Sequence, residues 1–254
     1  MTNHAKKICV FFIIFAAVAQ ISHARVNILE QYYSGQDSTI HSPGGVEPMV
    51  SMLLLRSQVE IPAEFSYVLN NRTELGARLG LINTSSNTGF DDLILAAKYK
   101  MLEESSDTPA ILGEAGLSLP TGSYSDGLGT GGLGFILCWE MEKMIKQTRG
   151  YFSLGMRMNS ENPDKYRYGS VFFYTVGATR PYKHNLDLDL ALKGFSHGNA
   201  KRDSTEINNA YQELYLAPGV VYQMDAKTTF AGSLLIGLTS DSSSLGLVAR
   251  ISFK

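Results

Sequence analysis

Between residues 186 and 193 the chain reads Leu-Asp-Leu-Asp-Leu-Ala-Leu-Lys, with a leucine at every second position. Successive side chains of an extended strand point to opposite faces. The segment therefore has one all-leucine face and one largely charged face. A helix would scatter Asp187 and Asp189 around its apolar stripe. A single strand of this kind also suits the edge of a soluble sheet, so the reading depends on how often the pattern recurs.

It recurs along the whole chain. Twelve strands are expected, at about 46–55, 58–69, 72–83, 90–103, 109–119, 130–144, 149–159, 166–179, 186–193, 211–223, 228–238 and 244–253. Only Arg56 and Ser57 mark the first boundary. In the third strand Leu75, Ala77, Leu79 and Leu81 alternate with Glu74, Gly76, Arg78 and Gly80. In the last, Leu245, Leu247, Ala249, Ile251 and Phe253 alternate with Gly246, Val248, Arg250 and Ser252. Pro218 inside the tenth strand predicts a bulge or a place near the rim, because proline donates no ladder bond. Strands of about ten residues exceed the usual five or six of soluble sheets and match the roughly 9–11 needed to cross a bilayer at a tilt. Open sheet edges are not tolerated in lipid, so such strands must close. The expected fold is all-β: a transmembrane antiparallel up-and-down β-barrel of about twelve strands.

The faces opposite the apolar ones supply the lumen-facing candidates. Acids are Glu60, Glu64, Glu74, Glu114, Glu140, Asp187, Asp189 and Glu213; bases are Arg78, Lys98, Arg157, Lys193 and Arg250. Buried charges require pairing or water, so both a salt-bridged lumen and a wet pore fit. A soluble barrel with every face reversed also accommodates these charges, against the strand lengths.

The start of the chain predicts a cleaved secretory leader over 1–24. Lys6 and Lys7 precede an apolar run at 8–19, and Ser22-His23-Ala24 is a small-x-small cleavage pattern. Residues 25–45, polar and rich in Gly and Ser, read as a flexible lead-in to a barrel over 46–254. Removal of the leader leaves Cys138 as the lone cysteine, which excludes an internal disulfide and suits a small filler in a strand. With both termini on the periplasmic side, the even-to-odd connections are short and the odd-to-even ones mostly longer, the pattern of outer-membrane barrels. Formal charge is -2 with no basic run, so no nucleic-acid partner is implied.

The most distinctive segment is 113–134. It runs Gly-Glu-Ala-Gly-Leu-Ser-Leu-Pro-Thr-Gly and, after a turn-rich stretch, Leu-Gly-Thr-Gly-Gly-Leu-Gly. A phosphate-binding loop is excluded by the absence of a following Lys-Ser/Thr and by strands on both flanks. Strand-Leu-Pro-Thr-Gly followed by Leu-Gly-Thr-Gly and another strand resembles the outer-membrane β-barrel family named for the meta-cleavage (MetA) pathway of phenol degradation, over about 45–254. The resemblance implies a protein of the Gram-negative outer membrane acting as a channel or transporter for small aromatic or hydrophobic solutes. Its partners would be outer-membrane lipid, the barrel-insertion machinery and a small-molecule solute. It implies no cofactor and no catalytic residues. The family name reflects genetic context rather than a substrate. One departure is that Phe253 is penultimate, where barrels of this class often end on an aromatic residue. A non-conducting barrel with a binding or envelope-structural role is the alternative.

His41, His184 and His197 lack metal-ligand spacing, and His184 and His197 are expected at the surface. Serine-hydrolase and zinc-protease motifs are absent, so no enzyme activity, catalytic residue or metal site is expected.

Overall fold

A computed structural model describes residues 44–55 and 58–253. The expected leader and lead-in fall largely on residues 1–43, outside the described residues, as does the first strand boundary at 56–57. Twelve long strands are present: β1 (Val46–Leu55), β2 (Gln58–Asn70), β3 (Thr73–Thr84), β4 (Leu93–Leu102), β5 (Ala110–Leu119), β6 (Gly134–Ile145), β7 (Thr148–Asn159), β8 (Val171–Lys183), β9 (Leu186–His197), β10 (Tyr211–Gln223), β11 (Thr228–Gly237) and β12 (Leu245–Phe253). Each pairs antiparallel with its sequence neighbours, and β1 pairs with β12 from Met49 opposite Ser252 to Leu54 opposite Leu247. The sheet is a closed twelve-stranded barrel with no free edge to template other chains. Barrels of this kind tilt their strands by roughly 35–45°.

The alternation in the sequence sets which face is which. On β9, Leu188 and Leu190 are exposed while Asp189, Ala191 and Lys193 on the alternate face are buried. On β6, Phe135, Leu137, Trp139 and Met141 are exposed and Ile136, Cys138, Glu140 and Glu142 are buried. The apolar side thus covers the outside of the ring and the mixed side lines the inside. Such an exterior is stable only against lipid, since it leaves a continuous apolar band uncovered.

Several boundaries shift for local reasons. Strand β6 begins at Gly134 rather than 130, because the glycine-rich residues before it fold back as a loop. Strand β4 begins at Leu93, after Asp91 and Asp92, which are both buried. The strand expected at 166–179 runs over Val171–Lys183. Tyr166 and Arg167 instead join a separate ribbon with 201–202 and 205–206. Pro218 causes no register shift. It lies opposite Leu190 in mid-strand, and the ladder to β11 skips from Leu216–Ile236 to Gly219–Ser233 around it. Pro62 leaves the same gap in the β1–β2 ladder between Val50–Ala63 and Leu53–Glu60. A missing donor is accommodated by lapsing one side of the ladder.

One end of the barrel carries short turns, with Lys146 and Asn185 at positive φ in two of its three two-residue turns. Main-chain N–H groups of Lys227 and Thr228 donate to Asp225 in another. The other end carries the long connections 85–92, 120–133, 160–170, 198–210 and 238–244.

Candidate functional site: the barrel lumen

The lumen-facing candidates alternate with the apolar outer residues of their strands. They gather into separate groups. On β2 and β3, Arg78 Nη2 donates to Glu60 Oε1 at 2.9 Å and its Nε lies 3.8 Å from Glu64. Glu60 is fully buried. Arg157 on β7 donates to Ser118 Oγ and Asn159 Oδ1, and it shares the field of Glu60 with Arg78 and Asp91. Further down, Glu74, Lys98 and Glu114 face one another in register across β3, β4 and β5. Opposite charges in adjacent positions support the sheet.

A second group occupies β6 to β9 and β12. Asp189 accepts from Tyr151 Oη at 2.9 and 3.1 Å and from Thr179 Oγ1 at 2.7 Å. Lys193 is buried, attracted by Asp189 and Glu140 and repelled by Arg250. Glu142 pairs with Arg149 at 2.6 Å. Asp187 is half-buried, opposite Pro181 and Val221. Arg250 is half-buried opposite Ser51. A third group stands at the long-loop end, where Glu213 accepts from Tyr215 Oη and sits 3.2 Å from His197 Nε2. His197 is stacked on Tyr211 at 4.0 Å. His197 is therefore not a surface histidine. The odd-numbered inward phase of β9, set by Asp187, Asp189 and Lys193, extends to it and was the signal available in sequence.

Sequence reasoning placed Val248 and Tyr215 on the inner faces of their strands but missed the apolar cluster to which they belong. Leu53, Phe173, Phe195, Tyr215, Leu235 and Val248 form one buried cluster on β8 to β12 and β1. Phe195 and Tyr215 meet edge to face. These residues lie among inward positions, so they are inside the ring rather than on its lipid face. In sequence they are hidden because Phe172-Phe173 and Leu234-Leu235 place apolar residues on both faces.

Asp91 and Asp92 were also missed as site residues. Asp92 accepts from Gly122 N–H at 3.1 Å, Thr130 N–H at 2.8 Å and Thr130 Oγ1 at 2.6 Å. It thus holds both halves of the Pro-Thr-Gly and Gly-Thr-Gly motif. Gly122 and Gly129 touch there; a Cβ on Gly129 would stand 2.5 Å from Asp92 Oδ1 and 2.8 Å from the Gly122 Cα. In the neighbouring loop, burial pushes the Tyr168 hydroxyl above its ordinary range, helped by the charges of Tyr166 and Asp92. Among the described residues, no group of three His, Cys, Asp or Glu side chains is placed to hold a metal ion.

A closed ring with an apolar exterior and a polar, partly aromatic interior defines an outer-membrane β-barrel, a wall around an enclosed lumen. Residues 41–254 match the family described as "Putative MetA-pathway of phenol degradation", and the chain belongs to that family. Among solved structures, it is similar to an outer membrane channel from Pseudomonas putida F1, with 15% identity over 86% of this chain and 98% of that one and a TM-score of 0.74. It is also similar to the NanC porin, at 12% identity over 83% and 100% of the two chains, and to the KdgM porin, at 7% over 82% and 98%, each with a TM-score of 0.56. No curated protein matches the chain. The likeness to these structures is one of fold.

Proposed function

We propose that the barrel passes small solutes with aromatic or other apolar surface across the outer membrane, with the long-loop end facing outward. The observation that carries this is the apolar cluster of Phe173, Phe195, Tyr215 and Leu235 inside a lumen otherwise lined with ion pairs. The cluster is closely packed, with Phe173 3%, Phe195 2%, Tyr215 0% and Leu235 0% exposed, so a passing ring takes over these contacts as the side chains part, each worth about 25 cal/mol per Å² of apolar area, while the charged residues keep its polar end hydrated or paired. The test is flux into liposomes of two solutes of equal size, one with a phenyl ring and one polyhydroxylated, alongside conductance in planar bilayers. Faster entry of the ring-bearing solute, reduced by Phe195→Ser, supports the proposal; equal entry of both refutes it.

A second reading is a non-conducting barrel that binds a ligand or stiffens the envelope. The packing of the lumen favours it, since Glu60 and Tyr215 are both 0% exposed. Absence of conductance together with absence of flux, in correctly folded barrels, would select this reading.

A further inference from the structure

The loop over 120–133 is fastened to the inner wall by one carboxylate. Asp92 is 2% exposed and shares the inward phase of Ile94. Its two oxygens take three donors, all from that loop: Gly122 N–H, Thr130 N–H and Thr130 Oγ1. The main chain beside it is fastened the same way. Leu93 N–H donates to Thr121 Oγ1 at 2.8 Å. Between the two anchor points the loop closes on itself, with Leu128 N–H donating to Ser123 O. Leu128 is buried, its Cδ1 lying 2.6 Å from where a Cβ on Gly89 would stand. Beyond the latch, Ser160 N–H donates to Leu133 O, and Asn162 Nδ2 to Thr130 O. The loop is therefore drawn inward at the long-loop end and continuous with the 160–170 loop.

We infer that Asp92 is a positioning residue which holds the 120–133 loop folded into the mouth of the lumen and so sets the width of the entrance. The inference rests on the passage reading above for its consequence, but the latch itself is a property of the fold. A charged acceptor buried among three donors is the strong case of hydrogen bonding. Removing it takes the acceptor from the main-chain N–H groups of Gly122 and Thr130 in a site that excludes water, and leaves the Thr130 hydroxyl with the Gly132 carbonyl alone. The loop then gains by swinging out to solvent.

The experiment uses the full-length protein refolded in lipid, with folding checked by heat-dependent gel mobility. Hydrogen–deuterium exchange is read in peptides covering 120–133, and conductance is read in planar bilayers. Asp92→Ala is compared with Asp126→Ala, whose carboxylate accepts from Ser123 Oγ at the exposed loop tip and does not touch the wall. Thr130→Val, which keeps the main-chain donor, is the second variant if Asp92→Ala does not fold. Asp92→Ala is expected to speed exchange in this loop roughly tenfold and raise conductance about twofold, with Thr130→Val intermediate. Unchanged exchange in both latch variants overturns the inference, as does an equal effect of Asp126→Ala. Faster exchange with unchanged conductance in a conducting barrel overturns its claim on the entrance. Faster exchange in a barrel that never conducts upholds the latch and refutes the passage reading instead.

Discussion

Tyr151 on β7 donates its hydroxyl to both oxygens of Asp189 on β9, reaching across β8. The crossing is possible because Gly177 lies beneath the ring: a Cβ there would stand 2.4 Å from the Tyr151 Cζ. Thr179 on β8 completes the shell of Asp189 from the same side. Three strands are thereby joined inside the ring by side chains, in addition to their ladders. The same device recurs with Phe173, whose ring on β8 covers Gly155 on β7. Glycines in the inward phase thus mark where a neighbouring ring lies flat against the wall.

Tyr151→Phe removes the longest reach of this group and leaves Asp189 with Thr179 as its hydroxyl donor. Loss of hydrogen bonds to a buried charge costs about 1–3 kcal/mol. The variant is expected to unfold at lower urea concentration in lipid vesicles by that amount. Gly177→Val is expected to be worse, because it displaces the ring and crowds β8 as well. If Gly177→Val unfolds with the wild type, Tyr151 is not held against the wall.

The Glu60–Arg78 pair is predicted to behave as a buried ion pair. Breaking one side, with Arg78→Met, leaves the Glu60 carboxyl without its cation in a site with no exposure and should cost about 3–5 kcal/mol. The double change Glu60→Gln with Arg78→Met removes both charges and should recover most of that loss. Urea unfolding of the two variants decides it; additive losses would show that the pair is hydrated rather than buried.

The strand count was legible from alternation, and closure followed from it because lipid tolerates no open edge. A period of two fixes which face every residue takes, as Leu188, Asp189 and Leu190 show. What alternation does not carry is contact between strands several places apart. Asp92 reads as one more polar inward residue. Its role depends on Gly122 and Thr130 folding back to it, and no local pattern announces that. Phe173 and Leu235 were obscured for a different reason. Each follows an apolar residue on the outer face, so the sequence shows a run rather than an alternation. Pro218 misled because a proline in a strand is read as a bulge or a rim position, whereas here it lies in mid-strand and the ladder lapses on one side only.

Asp187 and Asp189 bear differently on any ion path. Asp189 is held by Tyr151 and Thr179, while Asp187 is half-buried nearer the short-turn end. Neutralising Asp187 alone is expected to shift the reversal potential in a salt gradient away from cations, because a partly solvated carboxylate near a narrow path selects by its field. Neutralising Asp189 alone should mainly lower stability. The single-residue split is the informative measurement: equal shifts in reversal potential from both variants would mean that Asp189 is as accessible to ions as Asp187.

Trp139 is the single tryptophan of the chain and sits on the outer face of β6 at 48% exposure. Its neighbours in the ladder on that face are Gly113 and Leu154, and Leu137 and Met141 flank it along the strand. A tryptophan so exposed in water emits near the red limit, whereas one against acyl chains emits to the blue. In lipid vesicles the folded barrel is therefore expected to show blue-shifted emission that is quenched by brominated acyl chains and insensitive to aqueous iodide. Trp139→Arg, on the same reasoning, should cost about 2–4 kcal/mol if the residue is near the bilayer midplane and little if it is near an interface. Iodide quenching without bromine quenching would place this face in water, and the assignment of the apolar exterior to lipid would fall with it.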